Sequence, residues 1–156
     1  MREYERATRE CSFNEFPPEI VAAVRKYAEK NDLGNLEAQA LMCAETSSAK
    51  IKQGFFAKVF GGAAFAVKNC VVVTPERILW ATLDNKNETA VLTARFEDVE
   101  IKDFSSNLVE DTGLQVVGSI SHFSERASAF IGLGDEPAAQ KLRRLLQDAA
   151  PTANRR

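Results

Sequence analysis

Residues able to do covalent chemistry are few in this chain of 156 residues. The single histidine, His122, lies among three serines, Ser119, Ser121 and Ser124. Serine catalysis needs a base held against the hydroxyl and a third group that orients the base. No spacing here signals that arrangement, and serines are common in turns between strands. We therefore predict a turn and a protein that is not an enzyme, whereas an enzyme site around His122 would predict a deep polar cleft there.

Metal and cofactor sites have little support from residue spacing. Cys11, Cys43 and Cys70 form no Cys-x-x-Cys pair, and the acidic residues lack the regular spacing of a calcium loop. The glycine-rich pieces at residues 61–62 and 132–134 fit neither a phosphate-binding loop nor a dinucleotide-binding motif. We predict no metal and no cofactor. Cys43 and Cys70 are expected as buried residues of strands, and three widely spaced cysteines favour a reducing cytoplasm.

The most unusual stretch, residues 50–68, combines basic and aromatic side chains and contains no acidic residue. If its rings are exposed, it forms a contact surface for a partner with an acidic, partly apolar patch, or for an anionic membrane. The alternative is that the rings fold back over the core and leave the lysines in solvent. The candidate interaction surface consists of Lys50, Lys52, Phe55, Phe56, Lys58, Phe60 and Lys68.

A second stretch, residues 97–111, has the opposite charge, with six acidic residues against one base, Lys102. Complementary patches at different places on one surface can dock head to tail, and such a contact closes into a ring when the rotation permits. The alternative is that both patches are solvated faces of separate hairpins. The candidate acidic counter-surface consists of Glu97, Asp98, Glu100, Asp103, Glu110 and Asp111.

The overall composition is typical of one soluble domain. There are 20 Lys and Arg against 22 Asp and Glu, which gives a net charge of -2 and argues against a protein that coats nucleic acid. The first ten residues carry six charges, so we expect no export signal. The longest uncharged apolar stretch, residues 59–67, is about half of the roughly 20 residues needed to cross a bilayer. We expect a cytoplasmic protein that contacts a membrane only at its surface, if at all.

Two amphipathic helices flank the elements that would position these residues. Over residues 17–31, Ile20, Val24 and Tyr27 share one face, and Gly34 is predicted to adopt a left-handed conformation after the helix end. This helix can pack in its own chain, which is the default, or swap onto a neighbour. Over residues 135–149 an apolar stripe recurs at helical spacing, with Asp135 as the predicted cap and Pro151 as the stop.

Between the two helices, short β-branched and aromatic runs separated by turn residues predict seven consecutive antiparallel strands. Short loops favour a sheet that bends over into a sandwich or barrel. Residues 74–77 predict a tight turn, and residues 84–87 predict a polar loop. Leu114, Val116, Gly118 and Ile120 are expected on one face. The strands are predicted at residues 38–46, 65–74, 77–84, 88–95, 99–104, 113–120 and 127–133.

This order of elements resembles the pleckstrin-homology-like superfold, and more specifically the small bacterial pleckstrin-homology-like (PH-like) domains. The resemblance lies in Val71-Val-Val-Thr-Pro-Glu-Arg-Ile-Leu-Trp80, Phe96-Glu-Asp-Val-Glu-Ile101 and the helix over residues 135–149. It implies an α+β fold in which two nearly orthogonal sheets form a bent seven-stranded antiparallel β-barrel, with the C-terminal helix at one open corner.

The resemblance also implies a platform that binds proteins, peptides or lipid head groups and does not catalyse. Members of the bacterial family assemble into rings. Some eukaryotic relatives bind phosphoinositides through basic residues around the first inter-strand loop, but this sequence lacks their Lys-x-Arg pair at the start of the second strand.

We therefore expect an N-terminal helical extension over residues 1–35, a PH-like barrel domain over residues 36–150 and a loose tail over residues 151–156. The leading hypothesis is a non-enzymatic binding or scaffold module that acts through protein–protein contact, by self-association as a homo-oligomer. The alternative is a peripheral membrane adaptor that lays Phe55, Phe56 and Phe60 into anionic lipid.

Overall fold

The computed structural model describes residues 4–50, 67–104 and 112–150. This part of the chain contains short 3-10 turns at Phe13–Glu15 and Phe96–Asp98. Its helices are α1 (Pro18–Lys30), α2 (Leu36–Gln39) and α3 (Pro137–Ala149). Its strands are β1 (Tyr4–Cys11), β2 (Met42–Lys50), β3 (Val67–Val73), β4 (Arg77–Leu83), β5 (Thr89–Arg95), β6 (Val99–Asp103), β7 (Gly113–Gly118) and β8 (Ala127–Gly132).

The strands form two antiparallel sheets, one of five strands in the order β1-β2-β3-β4-β5 and one of three in the order β6-β7-β8. The α+β class and the C-terminal helix are confirmed. Over the described ranges, no ladder joins β1 to β8 or β5 to β6, so no closed barrel is found. Side chains, rather than backbone ladders, connect β1 to the segment that follows β8.

The predicted hairpin turns form where the sequence places them. The Thr74 N–H donates to the Arg77 carbonyl at 3.0 Å, and the Thr74 hydroxyl accepts from the Arg77 N–H at 3.2 Å. In the next hairpin, the Asp84 carboxylate accepts from the N–H groups of Lys86 and Glu88 at 2.8 and 2.9 Å. Short polar side chains that bond nearby backbone therefore set the register of β3 against β4 and of β4 against β5.

The strand predicted over residues 38–46 begins later, at Met42, because Leu36–Gln39 forms a helical turn instead. The Asn35 side-chain oxygen accepts a hydrogen bond from the Ala38 N–H at 3.1 Å, which caps this turn. Leu36 is buried beneath it. The apolar residues of this segment are thus compatible with a short helix as well as with a strand. The Asn35 cap favours the helix.

Strand β1 was not predicted, because its sequence is highly charged. It lies antiparallel to β2, with Tyr4 opposite Lys50 and Cys11 opposite Cys43. Thr8 is its buried residue, and the Thr8 hydroxyl lies 2.8 Å from the Thr46 hydroxyl. The predicted N-terminal helical extension therefore contains an edge strand of the first sheet as well as helix α1.

Both predicted helices form, with different caps from those expected. After α1, Asp32 rather than Gly34 occupies the left-handed position next to the helix, with φ of 54°, and the Leu33 N–H donates to the Ala28 carbonyl at 2.9 Å. Gly34 is left-handed two residues further on, with φ of 76°. Helix α3 starts after Glu136 rather than Asp135, since the chain turns helical only at Pro137.

The first sheet is covered on both faces, which gives two apolar cores. One face packs against α1 of the same chain, whose Ile20 and Val24 are buried over β4 and β5. The opposite face packs against the second sheet and α3, and Leu114, Val116 and Ile120 are buried there as the alternation predicts. The second core also holds Met42, Val71, Val73, Ile78, Trp80, Ile101, Ile131, Leu142 and Leu146.

Candidate functional site

Most of the predicted basic and aromatic surface lies outside the described residues, namely Lys52, Phe55, Phe56, Lys58 and Phe60. Lys50 ends β2. Lys68 lies on β3, and its Nζ is 2.9 Å from Oε1 of Glu45. The one predicted basic side chain whose contacts are known is therefore held in an ion pair of its own chain.

The predicted acidic surface is described in part, since Glu110 and Asp111 fall outside the described residues. Glu97 pairs with Arg95 at 2.8 Å, and Asp103 pairs with Arg143 of α3 at 2.7 Å. Asp98 is exposed in the 3-10 turn before β6, and Glu100 is half-buried on β6. The four acids do lie along one turn and one strand, but two of them have cations of the same chain beside them.

His122 lies exposed in the turn after β7, with φ of 70°, and its ring packs edge-on against the ring of Tyr27 at 5.8 Å. The neighbouring Ser121 ties this turn to β5. Its hydroxyl accepts from the Thr93 N–H at 2.8 Å, and its own N–H donates to the Thr93 carbonyl at 2.9 Å. Because this serine serves the turn and His122 faces solvent, we drop the alternative of an enzyme site around His122.

A buried carboxylate, Glu45, lies on β2 between two cations, and the sequence analysis did not single it out. Its side chain is only 6% exposed. Arg9 is its cross-strand partner on β1, with Nη2 3.4 Å from Oε2, and Lys68 approaches from β3 on the other side. The carboxylate beside Arg9 raises the pKa of that guanidinium. This cluster stabilises three neighbouring strands by charge pairing across the ladder.

A cavity of about 350 Å³ opens between the two sheets, at the end of the first sheet where β2 stops and β3 starts. We call it the mouth pocket. Side chains from five strands converge on it, which is possible because the two sheets are not joined by a ladder at this corner. Its lining residues are Tyr4, Arg6, Ser48, Val67, Asn69, Thr82, Phe130 and Gly132.

The inward face of the first sheet changes from apolar to polar as it approaches the mouth pocket. Successive side chains on one face of a strand are two residues apart. On β3 the inward positions Val73 and Val71 are followed by the polar Asn69, with Val67 at the start of the strand, and β2 and β4 change from apolar residues to Ser48 and Thr82. Inward positions of a sheet are usually apolar because apolar burial stabilises the fold. The polar residues at this end of the sheet therefore suggest a function beyond stability.

The Arg6 guanidinium forms one wall of the mouth pocket. It stacks between two rings, 4.8 Å from the centroid of Tyr4 and 5.3 Å from that of Phe130, and its Nη1 donates to the Ser48 hydroxyl at 2.5 Å. A Cβ at Gly132 would lie 2.4 Å from Nη1 of Arg6. Glycine at this position of β8 therefore allows an arginine from β1 to cross the gap between the sheets.

The row of aromatic rings continues from Phe130 to Phe104, the residue after β6. Phe104 meets Phe130 edge to face at a centroid distance of 4.9 Å, and Phe130 is 37% exposed. Gly113 allows the Phe130 ring to lie close to the backbone of β7, because a Cβ there would be 2.8 Å from ring atoms. The row of Tyr4, Arg6, Phe130 and Phe104 thus borders the mouth pocket as a partly exposed surface.

Asn69 is a buried polar residue of the pocket lining, 8% exposed. Its Oδ1 is buried and accepts no hydrogen bond from the part of the chain that the structure describes. An unpaired buried acceptor costs about 1–3 kcal/mol, so this oxygen is a candidate ligand contact. The sequence signal that could have found it is the asparagine among the inward positions of β3, whose other residues, Val67, Val71 and Val73, are apolar.

Comparison with known proteins identifies no relative: no protein-family model, no curated protein and no solved structure matches this chain. Over residues 4–50, 67–104 and 112–150, no group of three His, Cys, Asp or Glu side chains is placed to hold a metal ion. Within the same ranges, no helix has the length and apolar character that a membrane crossing requires. The function must therefore be argued from the geometry of the mouth pocket and its aromatic row.

Proposed function

We propose that this protein is a non-enzymatic binding module that acts through protein–protein contact and self-associates as a homo-oligomer. The observation that carries the proposal is the partly exposed row of Tyr4, Arg6, Phe130 and Phe104 beside the mouth pocket. Aromatic residues and arginine dominate the binding energy of protein interfaces, especially where they border a pocket. Stacking also holds these side chains in place, which lowers the entropy lost when a partner binds.

We infer that the domain is a PH-like barrel, open at the corner between β1 and β8, in a cytoplasmic protein. The order of β2 to β8 followed by α3 supports this fold. So does the position of α3, whose Leu142 and Leu146 pack between the two sheets. In such a fold, open corners between sheets are places where ligands enter, and the mouth pocket lies at one of them.

In this proposal, oppositely charged patches join one copy of the protein to the next, head to tail. Asp98 and Glu100 form the acidic patch of one copy, and the basic residues of the 50–68 stretch form the complementary patch of the next copy. The exposure of Asp98 and the absence of a charged partner for it among the described residues support the acidic half. A head-to-tail contact of this kind is weakened by salt because it joins solvent-exposed charges.

Self-association is tested by the native mass from light scattering after gel filtration, at about 50 mM and about 500 mM salt. We expect a defined oligomer at low salt that loosens at high salt. Phe130→Ser should shift the protein towards the monomer because it removes the centre of the aromatic row. Phe123→Ser is the matched control, since Phe123 is 53% exposed but lies away from the pocket, in the turn after β7.

Two results would contradict this proposal. A monomer at both salt concentrations would remove self-association, and equal effects of the two phenylalanine variants would remove the aromatic row as its interface.

A further inference from the structure

The mouth pocket combines one apolar side with one polar side. Val67 and the ring of Phe130 form the apolar side. Ser48, Asn69 and Thr82 form the polar side, on three adjacent strands of the first sheet. A ligand that fits both sides must carry an apolar group and, next to it, a group that exchanges hydrogen bonds.

Asn69 defines the polar group more closely. Its carboxamide offers an acceptor and two donors, and a peptide group offers one donor and one acceptor in return. The terminal torsion of asparagine is broad, so the amide can turn towards the cavity without movement of the backbone. A lipid acyl chain has no hydrogen-bond donor and would leave Oδ1 of Asn69 unpaired in a drier environment, which is unfavourable.

We propose that the mouth pocket holds one apolar side chain of a partner polypeptide, and that Asn69 hydrogen-bonds the peptide group beside that side chain. The inference rests on the proposed function, because it names the part of a protein partner that the module recognises. The apolar side chain packs on Val67 and Phe130, and the hydroxyls of Ser48 and Thr82 lie at the polar side of the same cavity.

Capped amino acids are suitable probes because each contains one side chain between two peptide groups. We would titrate isotope-labelled protein with acetyl-phenylalanine-N-methylamide, with the alanine equivalent, and with a phenylalanine analogue in which both N–H groups are methylated. Side-chain amide signals report directly on Asn69, and backbone signals report on Val67, Thr82 and Gly132. We expect saturable shifts at millimolar concentrations, as is usual for ligands of this size.

The order of affinities tests both halves of the proposal. The phenylalanine probe should bind more tightly than the alanine probe, because its ring fills the apolar side. Methylation of the N–H groups should weaken binding about three- to tenfold, which corresponds to the loss of one hydrogen bond.

The variant Asn69→Leu removes the proposed hydrogen bond to the ligand and is expected to leave the fold intact. This variant replaces an unpaired buried acceptor with an apolar side chain, so its melting temperature should rise by about 3 °C. It should also bind the methylated and unmethylated phenylalanine probes equally. Thr93→Val is the control, because Thr93 is a buried polar residue of the same sheet that does not line the pocket, and its hydroxyl donates to the Ile78 carbonyl at 2.9 Å. This control should keep the difference between the two probes.

Three outcomes would overturn the inference. They are no saturable shift at Asn69 with any probe up to about 10 mM, equal binding of methylated and unmethylated probes to the native protein, and no effect of Asn69→Leu on their difference. Failure of the proposed function can be told apart from failure of the inference. If the protein is monomeric at both salt concentrations but binds the probes, self-association is contradicted and the inference stands.

Discussion

At the scale of single residues, burial decides the chemistry of the three cysteines. Burial raises the pKa of Cys11 to about 11, although Arg9 beside it acts in the opposite direction. Burial likewise raises the pKa of Cys43 to about 11 and that of Cys70 further. Since the thiolate is the reactive form, we expect all three thiols to react slowly, and Cys43 and Cys70 are buried on strands as the sequence predicts.

Alkylation of the folded protein checks this conclusion. At pH 8, iodoacetamide should modify Cys43 about 100-fold more slowly than it does in unfolded protein, because a pKa higher by two units leaves about 100-fold less thiolate. Labelling should accelerate as the pH rises towards 11, where the folded thiol ionises. Cys11, the least buried of the three, should react first. Mass spectrometry of the digested protein measures each rate, and fast labelling of folded Cys43 at pH 8 would contradict the argument.

At the scale of elements, the Glu45 cluster joins three strands, and its members contribute unequally. Glu45 is 6% exposed, whereas Arg9 and Lys68 are 50% and 39% exposed. When Glu45 is removed, both cations can be hydrated by solvent. When the cations are removed, a buried carboxylate is left without compensation, and that is the costly case.

Urea unfolding of two variants measures this asymmetry. Glu45→Gln should lower the free energy of unfolding by about 1 kcal/mol, and the double variant Arg9→Met with Lys68→Met should lower it by about 3 kcal/mol. Glu97→Gln is the control, because its pair with Arg95 is exposed on both sides and should contribute less than about 1 kcal/mol. Equal losses in the first two variants would show that Glu45 is hydrated in the folded protein.

At the scale of the whole molecule, β1 connects the two sheets where no ladder does. The Thr8 N–H donates to Oε2 of Glu136 at 2.6 Å, and the Gly134 N–H donates to the Thr8 hydroxyl at 2.9 Å. Lys141 of α3 pairs with Glu10 at 2.9 Å. These contacts protect the outer edge of β1 and hold the corner beside the mouth pocket.

Deletion of residues 1–11 should therefore affect the entire fold. It exposes the edge of β2, removes Arg9 from Glu45 and removes the Thr8 N–H that Glu136 accepts, so we expect a lower thermal midpoint and concentration-dependent aggregation. Thermal unfolding and light scattering measure both. A deletion of residues 1–3, which leaves β1 intact, is the control. An unchanged thermal midpoint after the longer deletion would mean that β1 does not contribute to the stability of the domain.

The elements with strong local signals were predictable from the sequence. Alternation with a period of two and turn residues such as Thr74 and Asp84 locate strands β3 to β8, and an apolar stripe locates α1 and α3. These signals act between residues close in the chain, so no tertiary contact is needed to read them. The opposite charges of the 50–68 and 97–111 stretches can also be read from the sequence alone. The role of these charges in self-association stays a prediction.

Only the tertiary structure decided the identity of β1 and the position of the mouth pocket. A charged segment such as residues 4–11 becomes a strand because Ser48, Glu45 and Glu136 satisfy its polar groups from 36 to 128 residues away. The pocket likewise joins Tyr4 and Arg6 to Phe130 and Gly132. Polar groups and cavities depend on partners brought together by folding, whereas helices, strands and turns depend mainly on neighbours in the chain.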